Sequence, residues 1–213
     1  MSGIVVYSEY EAKRNEFAVS KFKKYLGAEL VTAENLQISA KHDFVINRTN
    51  NAKIARSFEN LGVRVFNPSP LTALANDKQA CYEFMQSNGI EIMPVNQTAA
   101  PVVEKPANGK GGQGVRLIKS GEFKIKPGFV YQKPASDLGR DLRVWLIGGE
   151  IICAVLRQSD SDFRSNFCLG GKALPYELSA SEKALVLKIA SLLKSDYIGI
   201  DFVFNKGKIV FNE

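Results

Sequence analysis

Between Val102 and Ile118 the sequence reads Val-Val-Glu-Lys105-Pro-Ala-Asn-Gly109-Lys-Gly111-Gly112-Gln-Gly114-Val-Arg-Leu-Ile, with four glycines in six positions between two short apolar runs. So few Cβ atoms leave the backbone unable to hold a helix or a strand, and let its amides come close to an anion. The plain alternative is a mobile hairpin tip. Gly109-x-Gly111-x-x-Gly114 spells the dinucleotide fingerprint, but that motif must open a helix. Here Val115–Ile118 and then Gly121 read as a strand and a turn. No Gly-Lys-Ser/Thr follows, so a P-loop is excluded as well. Protein kinases also place a glycine loop between strands. However, Arg140-Asp141-Leu142 and Asp162-Phe163-Arg164 come too early for the kinase signatures and lack their Asn and Gly. What survives is a strand–loop–strand lid. Gly111, Gly112 and Gly114 supply the loop's freedom, and Lys105 on the entering strand can place an ammonium on phosphate oxygens.

The 213 residues suffice for one large domain or two small ones. Ile4–Tyr7, Phe44–Ile46 and Val63–Phe66 read as strands. Between them lie helical patterns that start at Ser8-x-x-Glu11, stop at Gly27, and resume around Ile54, Phe58 and Leu61. Alternating strands and helices imply a small parallel α/β unit over residues 1–70, with Asn67-Pro-Ser-Pro70 as its linker. A helical stretch then runs over Leu71–Asn88. We divide the remainder, 71–213, into a lid-bearing part (71–133) and a C-terminal part (134–213).

That last part places charges on apolar strands. Asp141, Arg143, Trp145 and Ile147 share one face of an alternating strand. Arg157 ends the apolar run Ile151–Leu156, and Arg164 follows within a turn or two. Guanidiniums converging near a phosphate lid suit a polyphosphate and the charge that builds during phosphoryl transfer. A solvated charged face is the alternative. After a capped helix at Ser179-x-x-Glu182, Tyr197–Phe204 and Lys208–Phe211 form a hairpin through Asn205-Lys-Gly207. Asp201 interrupts the first of these strands, and Glu213 ends the second. An acid inside an apolar strand is costly unless paired or metal-bound. Two carboxylates on neighbouring strands could hold Mg2+ against phosphates, the alternative being a salt-bridged Asp201 and a solvated Glu213.

Other chemistries have little to work with. His42 is the only histidine, which excludes a multi-histidine metal site, and it reads as a strand-edge residue. Cys81, Cys153 and Cys168 read as buried thiols of a reducing cytoplasm, not as a disulfide frame. No apolar run approaches the roughly 20 residues that span a bilayer, and the start lacks the basic region of a signal peptide. The net charge of +6 favours an anionic partner. With the basic residues dispersed and no aromatic-basic motif, that partner is not expected to be nucleic acid.

Taken in order, several motifs resemble the ATP-grasp ligases, in the branch containing the ribosomal-protein glutamate ligase RimK. They are Asn76-Asp-Lys78, Glu104-Lys105-Pro with Gly109–Val115, Tyr131-Gln132, Gly139-Arg-Asp141-Leu-Arg143, Leu156-Arg157, Asp162-Phe-Arg164-Ser-Asn166, Gly170-Gly171, Ile200-Asp201-Phe and Asn212-Glu213. The resemblance implies an α+β ATP-grasp fold preceded by a small α/β domain. Lys78, which by itself is an ordinary helix start, would then join Lys105 on the phosphates of ATP. Gln132 and Lys133 would begin the hinge that seats adenine, and Asp141 would reach the ribose. Arg164 and Asn166 would bind phosphates, and Arg157 would stabilise the transferring phosphoryl group. Asp201 and Glu213 would ligate Mg2+, as one ion or two, with Mn2+ as a substitute. The implied activity is ATP-dependent joining of a carboxylate to an amine of an amino acid, peptide or protein tail. The alternative is an ATP-binding module without ligase activity. Two departures stand out. Lys133-Pro134 replaces an acid at the hinge, and the family's closing Glu-x-Asn reaches only Glu213, which reads as a truncated chain or an incomplete metal set.

Overall fold

The computed structural model describes residues 2–109, 111–165 and 171–213. Asn166, Cys168 and Gly170 therefore lie outside the described residues. The chain divides into two compact units, one up to Ala73 and one over Leu74–Glu213.

In the first unit, strands β1 (Gly3–Tyr7), β2 (Ala28–Thr32), β3 (Phe44–Asn47) and β4 (Arg64–Phe66) form a parallel sheet in the order β2-β1-β3-β4. Helices α1 (Glu9–Arg14), α2 (Glu16–Leu26) and α3 (Ala52–Glu59) connect them. Ile4, Val6, Val45 and Val65 pack with Ala55 and Phe58 of α3 into the core. The Ser8 hydroxyl accepts from the Glu11 amide at 3.2 Å, and Gly27 (φ +62°) stops α2 in the left-handed conformation that its missing Cβ permits. Two details differ from the sequence reading. β2 is an edge strand with two adjacent exposed residues, so it carries no clean alternation. His42 precedes β3 and meets the Phe58 ring edge-on at 6.4 Å, outside any strand.

The Leu71–Asn88 stretch is two helices, α4 (Ser69–Ala75) and α5 (Lys78–Ser87). The Asp77 side chain accepts from the Ala80 amide at 3.1 Å and so starts a new helix, where composition alone suggests continuity. Pro70, read as linker, sits in the first turn of α4, where its missing N–H costs nothing.

The second unit holds two antiparallel sheets. β5 (Val102–Pro106), β6 (Arg116–Ile118) and β7 (Phe129–Gln132) are ordered β6-β5-β7, and the glycine segment joins β5 to β6. β8 (Arg140–Ile147), β9 (Glu150–Gln158), β10 (Lys172–Pro175), β11 (Tyr197–Asn205) and β12 (Lys208–Phe211) are ordered β10-β9-β8-β11-β12. β10 is exposed throughout and carries no sequence signal. On one face of the larger sheet, Leu142, Val144, Leu146, Ile200 and Phe202 pack on Val186 and Ile189 of α6 (Ala180–Leu193) and on Tyr82 and Met85 of α5. α6 opens with the Ser179/Glu182 capping box. The alternation of strands then forces Asp141, Arg143, Arg157 and Asp201 onto the opposite face. Cys153 shares that face with Arg157 and is exposed, so it is not the buried thiol expected; Cys81 is half-buried against the core, and burial pushes its thiol up to about 12. β12 ends at Phe211, not at Glu213, yet pairing continues. The Asp201 amide donates to the Glu213 carbonyl at 2.7 Å, and the Asn212 amide donates to the Asp201 carbonyl at 2.8 Å. Among the described residues no helix is long and apolar enough to cross a membrane.

Candidate functional site

A cleft of about 560 Å3 in the second unit is lined by the glycine loop, β5, the β7–β8 connection, the charged face of the larger sheet and the last two residues. Lys78 opens α5, and its amide is fixed by donating to the Ala107 carbonyl at 3.0 Å. Its ammonium pairs with Glu213 at 2.9 Å and donates to the Gly109 carbonyl at the start of the loop. Tyr82 lies one turn further along the same helix face. Its hydroxyl donates to the Asn212 carbonyl at 2.7 Å and accepts from the Lys105 ammonium at 2.5 Å. Lys105 also donates to Asn212 Oδ1 at 3.2 Å. Burial drives the Lys105 amine down to about 7; Glu213 pulls it back up, and the neighbouring Lys78 charge pushes it further down. Burial pushes the Tyr82 hydroxyl well above its usual value, so it stays neutral, with Glu213 adding to the effect.

The sheet face is a grid of ions. The Arg157 guanidinium forks onto Asp141 at 2.6 and 2.7 Å and reaches Asp201 at 3.0 Å. Arg143 forks onto both oxygens of Asp201 at 2.6 Å each. Strand register sets these pairs, because Asp141 lies opposite Arg157 and Asp201 opposite Arg143. Burial raises the Asp141 carboxyl, the Arg157 hydrogen bond lowers it, and the Asp201 charge raises it again, leaving it above the usual value. Burial also opposes the Arg157 charge, but Asp141 and Asp201 outweigh it, so this guanidinium is a permanent cation.

On the rim, Arg164 forks onto Asp162 at 3.0 and 2.7 Å and donates to the Gly112 carbonyl at 3.0 Å, tying the segment after β9 to the glycine loop. The same hydrogen bonds hold the Asp162 carboxyl down at about 2. Gly139 positions that segment. Its amide donates to the Phe163 carbonyl at 2.8 Å, and its carbonyl accepts from the Ser159 amide at 2.8 Å. At φ +72°, a Cβ on Gly139 would stand 2.7 Å from the Ser159 carbonyl oxygen and 3.0 Å from that of Asp162. Gly139→Ala is expected to lower stability by about 2–4 kcal/mol, from left-handed strain plus overpacking against backbone. Denaturant unfolding checks this, and a midpoint matching the parent protein refutes it.

Beside the cleft, Glu104 of β5 is buried, and burial alone would raise its carboxyl. Hydrogen bonds from Arg116 (2.5 Å), Tyr131 (3.0 Å) and Lys126 (3.3 Å) outweigh this and leave it below the usual range. It ties β5, β6 and β7 together behind Lys105.

Lys78, Lys105, Gly111, Gly112, Gln132, Lys133, Asp141, Arg157, Arg164, Asp201 and Glu213 all line this one cleft. Gly114 is not part of the lining; a Cβ there would meet Pro106 Cγ at 2.9 Å. Asn166 lies outside the described residues. Tyr82 was not singled out from sequence, and Arg143 and Asn212 were quoted within motifs but given no role. Tyr82 carried a usable signal in its four-residue spacing from Lys78, and Arg143 in sharing a face with Asp141. The donor set at Asp201 and Glu213 fits Mg2+. Backbone pairing makes the two residues neighbours, and both line the cleft; carboxylate oxygens are hard donors, and Mg2+ takes one or two carboxylates and fills its shell with phosphate and water. Among the described residues, no third His, Cys, Asp or Glu joins them.

A family model described as the RimK-like ATP-grasp domain matches residues 61–213. An uncharacterized protein, MG011 of Mycoplasma genitalium, is 26% identical across 99% of this chain and 82% of its own length. A probable alpha-L-glutamate ligase of Trichodesmium erythraeum is 27% identical across 70% of this chain, which spans 58% of that relative. The structure of D-alanine–D-alanine ligase from Bacillus anthracis complexed with ATP superposes with a TM-score of 0.71 at 16% identity, covering 100% of this chain and 85% of that one.

Proposed function

Because the chain belongs to the RimK-like ATP-grasp family, we propose that it is an ATP- and Mg2+-dependent carboxylate–amine ligase acting on an amino acid or peptide. The observation that carries this reading is that Lys105, the Arg157 and Arg164 pair, and Asp201, drawn from three separate stretches of sequence, share one cleft under a glycine loop. Lys78 and Lys105 contact the ATP phosphates from one wall and the loop amides from another. At the hinge, the Lys133 amide is spent on the Pro94 carbonyl at 2.7 Å, and Pro134 has no N–H. Adenine contacts are therefore left to the other backbone groups of the Gln132–Ala135 hinge, which lines the cleft.

The substrate carboxylate attacks the γ-phosphorus, and the bond to the β-phosphate oxygen breaks. ADP leaves, and an acyl phosphate remains. Arg157, held by Asp141, meets the negative charge that builds on the phosphoryl oxygens. The amine then attacks the acyl carbon, loses a proton, and expels phosphate. Asp201 and Glu213 would hold Mg2+, which when bound would neutralise phosphate charge and orient the nucleotide. Arg164, joined to Gly112, keeps the lid over the phosphates and excludes water. The described cysteines are free thiols, which suits a reducing cytoplasm.

The test is ADP release by the chain supplied with ATP, Mg2+ and a panel of amino acids and peptides. ADP is expected only with a matched carboxylate and amine. ATP binding without ADP from any pair would instead support an ATP-binding module without ligase activity.

A further inference from the structure

The Asp201 carboxylate, assigned above to a divalent cation, is already fully engaged by two guanidiniums. These two are not equivalent. Arg157 has its own fork on Asp141 and a side chain only 9% exposed. Arg143 sits at the rim with its side chain 35% exposed, and among the described residues its ion pair is with Asp201. The Asp201 backbone is pinned, paired with Arg143 on one strand and with Asn212 and Glu213 on the other side, so its carboxylate stays on the cleft face. A divalent cation brought onto the Asp201 oxygens competes with the two guanidiniums already there, because like charges held that close repel. The group that yields is the exposed one.

Resting on the ligase reading above, we propose that Arg143 is a positioning residue. It is a displaceable counter-ion that keeps Asp201 oriented before a nucleotide binds, cedes it to the arriving divalent cation, and thereby sets the cation affinity of the site. The Arg143 side chain already has a second partner, which it keeps when it cedes the carboxylate. The Trp145 ring lies on the same face of β8 with the Arg143 guanidinium carbon 5.5 Å from its centroid, and it is 42% exposed. It can hold a cation that has left its carboxylate. Gly199 on β11 makes that ledge possible, since a Cβ there would stand 2.9 Å from the Trp145 ring. Trp145 is also the only tryptophan of the chain, so its emission reports the exchange.

The experiment measures Mn2+ binding to the full chain by electron paramagnetic resonance at saturating ADP, alongside tryptophan emission during a Mg2+ titration with ADP. Parent, Arg143→Gln and Arg143→Lys proteins are compared, each confirmed as folded by circular dichroism. Losing a charge-assisted fork that the cation must otherwise break is expected to tighten Mn2+ binding about tenfold in Arg143→Gln, with Arg143→Lys in between. The emission change on adding Mg2+ is expected in the parent and absent in Arg143→Gln. Unchanged or weaker Mn2+ binding by Arg143→Gln, while the parent binds ADP and Mn2+ normally, overturns the counter-ion role alone. A parent protein that binds neither ADP nor Mn2+ overturns the ligase reading as well.

Discussion

Asp201→Asn is expected to reduce ADP release by about a thousandfold, because the amide keeps the shape of the carboxylate but not the charge that holds a cation against the phosphates. The substitution also touches stability. Arg143 and Arg157 both lose an anionic partner. Arg157 keeps Asp141, and Arg143 can turn to water, so the loss should be about 2–3 kcal/mol, less than when a buried pair is broken outright. Single-turnover ADP release and denaturant unfolding, measured on the same preparation, separate the two effects. If the variant folds and releases ADP at a rate within threefold of the parent, Asp201 has no part in holding the metal.

Lys105→Met should do the opposite to stability. The Lys105 ammonium is buried beside another cation, and burial has already pushed it down to about 7. Replacing it with an unbranched apolar side chain removes that burden, so the variant should be at least as stable as the parent, while ATP affinity falls about a hundredfold with the loss of a charged phosphate contact. The pH dependence follows from the same group. Between about pH 7 and the ordinary lysine value, the unfolded chain carries a proton on this amine and the folded chain does not. The unfolded state therefore binds more protons in that window, and this group makes stability rise as pH increases through it. ATP prefers the ammonium form, so ATP affinity should fall as pH climbs above about 7. Both trends should vanish in Lys105→Met, as calorimetric titration and thermal unfolding at several pH values would show. A variant that binds ATP as tightly as the parent would remove Lys105 from the phosphate site.

Parts of the molecule that obey a strong local rule were legible in the sequence. The glycine segment between β5 and β6 lies at the mouth of the cleft because nothing else so rich in glycine could sit between two strands. Arg157 and Asp201 stood out as charges at the phase of apolar strands. What stayed hidden depended on tertiary partners. The break between α4 and α5 turns on one side-chain acceptor, Asp77, in an otherwise helix-compatible run. β2 and β10 are edge strands whose exposed residues carry no usable alternation. Cys153 looked buried among apolar neighbours, but the phase of β9 sets it opposite Trp145 on the cleft face. Lys78 carried meaning only through the resemblance, since its link to Glu213 spans the whole second unit.

The register-matched ions across β9, β8 and β11 bear on assembly as well as chemistry. Sliding β9 or β11 by one residue against β8 would turn Arg157 or Asp201 into the layer occupied by Leu142, Phe202 and Ile189, where a lone charge is intolerable. Mispaired intermediates are thereby penalised far beyond what apolar packing alone would impose. The same four side chains that line the cleft thus proofread the sheet, and a chain that folds to completion arrives with that charged face already aligned.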